Sequence, residues 1–595
     1  MNAEGLLKVY EKISEAPDAV ARLRRFVLDL AVRGKLVEQD AGDEPASELF
    51  ARMKAERLAL ERAKKIKKVK LGPLIETATT IPKNWAWTQL GNVGDWGSGS
   101  TPQRGNPDFY GGGITWLKSG ELGDSLALHG SEETVTELAL SKCSFRLNKP
   151  GDVLIAMYGA TIGKLAILAE KAVTNQAVCG CTPFAGLSNR YLYLFLLANR
   201  AAFHGSSEGG AQPNISKVKI VNTTFPLPPT NEQHRIVAKV DELMGLCDRL
   251  EAARVVREEV RDKLTAASLA RLTAPDAGST DTPDQTTEAS QVTGNTPAAI
   301  AFHTHARFAL ETLPALTSRP DQIKTLRQTI LNLAVRGKLV EQDPADEPTS
   351  KLLTRMVNER KETVARRKIR GATPPKAPSA QTEGFMLPSS WDLCALGQIT
   401  LITDPNPSHR YPDYSGGTVP ILSTREFAGD GGWNPETAKL TTQAFWEFQK
   451  EICDFAEGDI IFARKGRLGL PRFLPRIEKF TFSHTLFSIK PMTGLDPNYL
   501  LWLLRRDEVV AWLTNEMNQN TGVPTLGKAK TERLPIPLPP LAEQYRIVAK
   551  VDALMALCDR LEAALTTADT TRTRLLNALL HEALTPATPI PEAAE

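Results

Sequence analysis

The segment closest to a catalytic motif is Gly159-Ala-Thr-Ile-Gly163-Lys164. A loop that binds nucleotide phosphates has four residues between its two glycines, and this segment is one residue short of that spacing. Its counterpart around Gly466 lacks the pattern, and Trp96-Gly-Ser-Gly99 lacks the strand and helix that flank a dinucleotide-binding loop. These glycines therefore do not predict a nucleotide site.

Other groups that could catalyse reactions or bind metals are equally sparse. Cys179-Gly-Cys181 supplies too few ligands for zinc, and His303-Thr-His305 is a lone pair. We find neither the Asn/Asp-Pro-Pro-Tyr tetrapeptide of amino-methyltransferases nor a helicase pair of phosphate and magnesium motifs. The sequence predicts no catalytic residue, metal site or cofactor in this chain.

Positive charge is concentrated in a few short segments of the chain. The chain carries a net charge of only +3, yet the segment from Arg464 to Lys490 has seven basic residues and a single acidic one, Glu478. Further basic clusters occur at 64–70 and 366–370. Such runs are either solvated surfaces or contacts to phosphate groups.

Composition predicts several domains of an ordinary protein. The 595 residues are 42% hydrophobic and 24% charged, and no apolar run reaches the ~18 residues needed to span a bilayer. The N-terminus lacks a signal-peptide pattern, and the seven cysteines form no CxxC pair. We expect a cytoplasmic location without disulfides, and we expect Cys247 and Cys558 to be packed in a core.

The chain contains an internal repeat, in which similar blocks flank two segments of different sequence. Residues 28–50 match 331–353 at 17 of 23 positions, and 225–253 match 536–564 at 23 of 29. The segments between these blocks share only sparse anchors, such as Gly151-Asp152 with Gly458-Asp459. A duplication without functional asymmetry would diverge evenly, so the uneven divergence favours two different recognition surfaces on equivalent supports.

Helices are predicted at both ends of each repeat. Asp43-Glu-Pro45 and Asp346-Glu-Pro348 place a proline near the first turn of a helix. After each Pro-Leu-Pro-Pro motif, apolar residues recur every 3.5 positions, as in coiled coils. The seam residues are Ile236, Val240, Leu243, Cys247 and Leu250, and Ile547, Val551, Leu554, Cys558, Leu561 and Leu565. The first seam then slips toward Val256, Val260 and Leu264, and the second continues through Ala568 to Leu575 and Leu579, broken only by Arg572. Alternatively, each seam packs only on its neighbouring domain.

The intervening segments predict an α+β fold. Asp152–Met157 and Asp459–Ala463 have the pattern of buried strands, and Tyr191–Ala198 and Tyr499–Leu504 that of short helices. The chain is therefore divided into helical segments (1–71, 231–273, 301–371, 536–584), two mixed α/β domains (72–230, 372–535), a flexible linker (274–300) and a disordered tail (585–595).

The chain resembles the specificity subunits of type I restriction–modification enzymes. The resemblance rests on Leu-Pro-Pro-x-x-Glu-Gln-x-Arg-Ile-Val at 227–237 and 538–548, on Cys-Asp-Arg-Leu-Glu at 247–251 and 558–562, and on Ala-Val-Arg-Gly-Lys-Leu-Val at 31–37 and 334–340. Gln212-Pro-Asn-Ile-Ser216 adds to it, whereas the second half departs there with Val523-Pro-Thr-Leu-Gly527.

The resemblance implies a non-catalytic subunit that binds double-stranded DNA. Two target recognition domains would each contact one half of a split asymmetric target, and an antiparallel coiled coil of the repeated helices would set the gap between half-sites. The helices would dock two modification subunits, which bring S-adenosylmethionine and methylate adenine N6. Restriction subunits would bring ATP, Mg²⁺, translocation and cleavage.

Candidate DNA contacts follow from this resemblance. Lys and Arg would bind phosphates and a few side chains would contact base edges in the major groove. The candidates are Arg104, Lys118, Lys164, Gln212, Asn214, Lys217, Lys219, Arg410, Arg425, Arg464, Lys465, Arg467, His484, Lys528 and Lys530, with Gln103, Tyr158 and His409 as neighbours.

Two alternative functions stay open. One is a self-contained DNA methyltransferase or nuclease, against which the missing motifs argue. The other is a scaffold that binds only proteins, against which the two divergent domains argue.

Overall fold

A computed structural model describes residues 16, 18–75, 79–205, 214–273, 317, 319–367, 375–376, 387–410, 412–429, 431–466, 468–517 and 525–584. These residues form two compact units. The first comprises residues up to Arg257 together with those from Asp569, and the second comprises Glu258–Ala568. The predicted linker at 274–300 and the tail at 585–595 lie outside the described residues.

Two short helices begin the first unit. Helix α1 (Ala19–Val32) buries Phe26, Val27 and Ala31 on one face, and α2 (Ala46–Arg62) follows directly after Pro45. Gly34 ends α1 with a φ of +66°, a left-handed conformation that favours glycine. A Cβ atom there would overlap the ring of Pro82, so both backbone and space require glycine.

The first mixed domain follows these helices. Its helices are α3 (Leu90–Val93), α4 (Glu137–Lys142), α5 (Asn189–Ala198), α6 (Arg200–Gly205) and α7 (Lys217–Val221), before the long α8 (Thr230–Thr273). Its strands are β1 (Ala86–Gln89), β2 (Gly94–Ser98), β3 (Tyr110–Leu117), β4 (Ser125–Leu128), β5 (Glu133–Val135), β6 (Val153–Ala156), β7 (Leu165–Leu168), β8 (Ala172–Thr174), β9 (Val178–Pro183) and β10 (Thr224–Leu227).

These strands form two sheets and a ribbon. The larger sheet has the order β2-β9-β6-β7-β4 and the smaller one β5-β3-β8. Strand β6 lies at the centre of the larger sheet, and its four residues are fully buried. The antiparallel ribbon pairs β1 with β10, and its two-stranded form tolerates Pro226, which has no N–H to donate.

The second unit repeats this plan. Its helices are α9 (Pro320–Val335), α10 (Thr349–Arg366), α11 (Leu396–Ile399), α12 (Gln443–Cys453), α13 (Pro497–Leu504), α14 (Asp507–Asn515), α15 (Lys528–Thr531) and the long α16 (Leu541–Leu584), of which the residues from Asp569 belong to the first unit. Its strands are β11 (Asp392–Ala395), β12 (Thr400–Thr403), β13 (Val419–Leu422), β14 (Phe427–Ala428), β15 (Gly432–Trp433), β16 (Lys439–Thr441), β17 (Ile460–Ala463), β18 (Gly469–Phe473), β19 (Thr481–Phe482), β20 (Leu486–Pro491) and β21 (Pro535–Leu538).

Corresponding strands take corresponding places in the two domains. The order β12-β20-β17-β18 repeats β2-β9-β6-β7, and β16-β13-β19 repeats β5-β3-β8. The hairpin β14–β15 occurs at the point of the chain where the first domain has β4. The expected α+β class, the buried strands β6 and β17, and the helices α5 and α13 are therefore confirmed.

Candidate nucleic-acid interface

The Arg of each Glu-Gln-x-Arg motif joins a long helix to the loop before a short one. Nη2 of Arg235 lies 2.6 Å from Oδ2 of Asp43, and Nη2 of Arg546 lies 2.7 Å from Oδ2 of Asp346. The hydrogen bond from Arg235 lowers the pKa of Asp43. The same ion pair thus supports the mixed domain in both units.

The Glu of the motif accepts a hydrogen bond from the other repeated block. Nε2 of Gln39 donates to Oε1 of Glu232 at 2.6 Å, and Nε2 of Gln342 donates to Oε1 of Glu543 at 2.5 Å. In the second unit Nε1 of Trp391 also donates to Oε2 of Glu543 at 2.9 Å. Burial raises the pKa of both glutamates, because desolvation penalises the charged form.

The Gln of the motif connects the long helix to the mixed domain. Oε1 of Gln233 accepts from the N–H of Ser188 at 2.7 Å, and its Nε2 donates to the carbonyl of Pro228 at 3.0 Å. Gln544 makes the equivalent contacts at 2.8 and 3.0 Å. We call the duplicated blocks with these contacts the frame. The residues that carry the family resemblance are therefore structural ones.

The seam residues pack into their own domains. Ile236, Val240 and Cys247 are buried in the first core, where Leu243 packs against them, and Leu250 is half-buried. In the second core the buried or packed residues are Ile547, Val551, Leu554, Cys558, Leu561 and Leu565.

Farther along each long helix, the residues that the apolar pattern predicts to be buried are not the buried ones. Val256, Val260 and Leu264 are 60%, 50% and 51% exposed, so the predicted slip of the first seam does not bury them. In α16 Leu576 is buried and Leu575 is 36% exposed, a shift of one position after the polar residue Arg572. A short apolar repeat cannot show which neighbour a helix face meets.

The far end of each long helix contacts the start of a short helix. In the first unit Leu576 packs with Ala16 and Ala19. In the second unit Nη2 of Arg319, just before α9, lies 2.9 Å from Oδ1 of Asp262 on α8. The named seam residues up to Leu243 and Leu565 therefore pack on their neighbouring domains, whereas Leu579, farther along the second seam, packs with Ala16, Ala19 and Leu576.

Two predicted basic residues of the first domain share a carboxylate. Nη1 of Arg104 lies 2.5 Å from Oε2 of Glu133, and Nζ of Lys118 lies 3.1 Å from its other oxygen. The Arg104 guanidinium also lies 5.2 Å from the ring of Tyr110 and 5.0 Å from that of Trp116. Arg104 is 57% exposed, and exposed pairs are weak enough for a phosphate to displace the carboxylate.

Arg464 is placed differently from the surface contact that its charge suggests. It is 8% exposed, its Nε donates to the carbonyl of Leu526 at 3.2 Å, and its Nη1 lies 2.7 Å from Oδ2 of Asp404. The ring of Phe487 lies 4.4 Å below its guanidinium. This environment favours a role in positioning the chain.

The other basic candidates have varied surroundings. Arg410 and Arg425 are exposed, and Lys164, Lys217, Lys219 and Lys465 are partly exposed. Lys528 lies 3.9 Å from Glu532, and Nζ of Lys530 donates to the carbonyl of Glu516 at 2.5 Å. Gln212 and Arg467 lie outside the described residues.

Three distant segments of the first domain meet beside the end of β6. The N–H of Met157 donates to the carbonyl of Ala177 at 2.8 Å, and the N–H of Ile215 donates to the carbonyl of Met157 at 2.9 Å. An isolated antiparallel bridge joins Tyr158 to Asn214. Two candidates from the sequence, Tyr158 and Asn214, are thus brought together.

The second domain has the same junction beside the end of β17. The N–H of Arg464 donates to the carbonyl of Thr485 at 2.9 Å, the N–H of Leu526 donates to the carbonyl of Arg464 at 2.9 Å, and Lys465 bridges Thr525. Gln176 and Thr525 lie in the segments that form these junctions but carry no signal in the sequence, because only strand pairing brings their segments there. Oγ1 of Thr101 donates to Oε1 of Gln176.

The comparisons with known proteins agree with this duplicated organisation. The family described as type I restriction modification DNA specificity domain matches the chain twice, at residues 82–256 and 388–568. The chain belongs to this family.

The chain is similar to specificity subunits over almost its whole length. The EcoAI specificity subunit of Escherichia coli is 28% identical over 95% of this chain and 94% of its own length, and the EcoEI subunit of the same organism is 26% identical over the same shares. The crystal structure of the HsdS subunit from Thermoanaerobacter tengcongensis is 18% identical, covers 86% of this chain and 98% of its own, and superposes with a TM-score of 0.41.

Within the residue ranges that the structure describes, no three His, Cys, Asp or Glu side chains are placed to bind a metal ion, and every helix is too short or too polar to cross a bilayer. Cys179 and Cys181 are buried in β9, where burial raises the pKa of Cys179 to about 12. Cys247 and Cys558 are buried, as predicted, whereas His303 and His305 lie outside these ranges.

Proposed function

We propose that this chain is the DNA sequence-specificity subunit of a type I restriction–modification complex and has no catalytic activity of its own. The main support for this proposal is that the frame is the same in both units, whereas the two mixed domains differ in sequence. The ion pair of Arg235 with Asp43 recurs as that of Arg546 with Asp346, while the domains between these blocks differ in sequence. Two different domains on equivalent supports suit an asymmetric target in two parts.

Binding to DNA would combine phosphate and base contacts. The exposed or partly exposed cations Arg104, Lys164, Lys217, Lys219, Arg410 and Arg425 are phosphate candidates, whereas Arg464 is held in the interior. Each phosphate neutralised releases counterions, so affinity should fall steeply with salt. Sequence selection then depends on side chains that contact base edges.

The long helices supply equivalent positions for two identical partner subunits. Leu246 and Leu557 occupy the same place in the repeat and are 40% and 50% exposed. Exposed leucines at matching points of two helices suit two copies of one protein, for which the modification subunit is the candidate. The buried seam residues, in contrast, are committed to domain packing. Each helix has 44 residues, a length of about 66 Å at 1.5 Å per residue, which suits a spacer between half-sites.

The proposal is tested by co-expressing this chain with a candidate methyltransferase subunit encoded next to its gene. N6-methyladenine on host DNA would be mapped by single-molecule sequencing, with a strain lacking this chain as the control. A split motif with a fixed gap, found only when the chain is present, is the expected result. No new motif from an assembled, cofactor-binding complex would overturn the proposal, and binding of radiolabelled S-adenosylmethionine by the chain alone would favour a self-contained methyltransferase.

A further inference from the structure

Both mixed domains build the same small surface from three chain segments. We call it the ledge. In the first domain it consists of residues 157–158, 176–177 and 214–215, and in the second of 464–465, 484–485 and 525–526. The two backbone hydrogen bonds and the isolated bridge described above have the same order in both, with donor–acceptor distances of 2.8–2.9 Å.

The inner side chains of each ledge are anchored in the domain. In the first domain Met157 and Ile215 are 3% and 1% exposed, and in the second Leu526 is fully buried and Arg464 is 8% exposed. Rigid elements position a contact residue better than a loose loop, because less conformational entropy is lost on binding. The ledge therefore presents its outer side chains from a fixed backbone.

The outer positions carry a different set of side chains in each domain. Tyr158 is 42% exposed, and Gln176 and Asn214 are also exposed. The corresponding residues of the second domain are Lys465, His484 and Thr525, all partly exposed. At frame positions the repeat keeps both the contact and the residue type, as in Gln233 and Gln544. At the ledge it keeps the backbone and changes every outward polar group.

We propose that the three outer positions of each ledge contact base edges and determine the sequence of one half-site. This inference rests on the proposed function and names the residues that select the target. A fixed backbone with interchangeable donors and acceptors allows one fold to select different bases, whereas residues that only bind phosphate have no reason to change in this way.

The residue types indicate which bases each ledge selects. The carboxamide of Asn214 can pair with N6 and N7 of adenine, and so can that of Gln176 once the exposed hydrogen bond from Oγ1 of Thr101 to its Oε1 is released. The ammonium of Lys465 suits O6 and N7 of guanine. His484 stacks on His409 with ring centroids 6.0 Å apart, which restricts the orientation of its imidazole. The first ledge therefore favours a half-site with a contacted A·T pair, and the second one with a contacted G·C pair.

The test measures discrimination by the assembled complex of this chain with its methyltransferase subunits. The variants are Gln176→Ala and Asn214→Ala in the first ledge, and Lys465→Ala and His484→Ala in the second. Affinity is measured at one salt concentration for a duplex with the mapped motif and for an unrelated duplex. The matched controls, Lys142→Ala and Lys479→Ala, remove exposed lysines of the same two domains outside the ledges.

Each ledge variant should lower the ratio of specific to non-specific affinity about 5- to 100-fold, the value of one good base contact. Methylation mapping should show that one position of one half-site now accepts more than one base, while the other half-site and the gap stay unchanged. Control variants should keep the ratio. An unchanged ratio in all four ledge variants, or an equal fall in both affinities, would overturn the inference and leave the proposed function intact. Absence of any bipartite motif with the unsubstituted chain would overturn both.

Discussion

Arg235 and Asp43 are 192 positions apart in the chain, yet their side chains meet at 2.6 Å. The carboxylate of Asp43 is only 3% exposed, so it depends on the guanidinium for compensation of its charge. The pair joins α8 to the loop before α2, and Arg546 with Asp346 repeats it. Residues that look like a sequence signature thus serve to hold helices from opposite ends of a repeat together.

Removing this arginine should destabilise the unit that contains it. Arg235→Ala leaves a buried carboxylate without its partner, and we expect a loss of about 1–3 kcal/mol after allowing for the partial exposure of the arginine. Thermal unfolding checks this value, and Arg546→Ala should give a similar loss in the second unit. Arg52→Ala, which breaks an exposed pair with Glu44, should change little. Equal effects of Arg52→Ala and Arg235→Ala would contradict this account.

The pH dependence of the same variant has a defined sign. Because Arg235 lowers the pKa of Asp43 in the folded state, the contribution is fully present above the ordinary carboxylate pKa of about 4 and is lost as pH falls through the lower folded value. The unfolding temperatures of Arg235→Ala and the unsubstituted chain should therefore converge in acid. A difference that stayed constant down to pH 2 would exclude the ion pair as its source.

The duplicated Arg-Gly-Lys turn should tolerate no side chain at its glycine. Gly34 and Gly337 both have a φ of +66°, and a Cβ atom would overlap Pro82 or Pro388. Gly34→Ala and Gly337→Ala should each cost about 2 kcal/mol or more in unfolding free energy. Gly245→Ala is the matched control, since its Cβ would meet open space within α8 and should stabilise the helix by about 0.5–1 kcal/mol. A stable Gly34→Ala protein would show that the turn can rearrange.

Much of the fold follows from the sequence because local patterns determine it. The strands at Val153–Ala156 and Ile460–Ala463 are short apolar runs after Gly-Asp, and the helices after the Pro-Leu-Pro-Pro motifs have long periodic seams. The frame contacts, although far apart in sequence, occur twice with the same residue types. Their repetition marks them as a unit before any distance is known.

The candidate site was less accessible from the sequence. Arg464 has the charge of a DNA contact, but Asp404 and the carbonyl of Leu526 hold it inside the domain. Gln176 carries no local signal, and its segment reaches the junction only through the pairing of β6 with β9. A basic residue and a polar loop residue look alike in sequence whether they face solvent, a carboxylate or DNA.

Two buried aspartates should make the stability of the domains decrease with pH. Burial raises the pKa of Asp459 to about 6, even with Nζ of Lys490 at 3.5 Å. The folded protein then retains a proton that the unfolded chain releases between about pH 4 and 6, so stability falls by up to about 3 kcal/mol across this window. Asp459→Asn should flatten the change in unfolding temperature. Asp152→Asn, at the equivalent position with a pKa also raised by burial, should act in the same direction.

The imidazole of His484 should give the second ledge a pH response that the first one lacks. Burial lowers the pKa of His484, and the nearby charges of Lys465, His409 and Arg464 lower it further, against the opposing effect of Asp404. The ring is therefore neutral at pH 7 and becomes charged only below the ordinary histidine range near 6.5. A neutral ring has one donor and one acceptor, whereas a protonated ring has two donors, so its base contact should change.

We expect discrimination at the second half-site to be constant at and above neutral pH and to weaken only as the pH falls below the ordinary histidine range. Discrimination at the first half-site, where Gln176 occupies the corresponding position and does not titrate, should stay flat. The affinity of the assembled complex is measured from pH 5.5 to 8 for duplexes altered in one half-site. These measurements distinguish the pH response of the first half-site from that of the second. His484→Gln should remove the pH response of the second half-site without changing the first. A response that persisted in His484→Gln would contradict the assignment to His484, because the substituted amide has no proton to gain in this range.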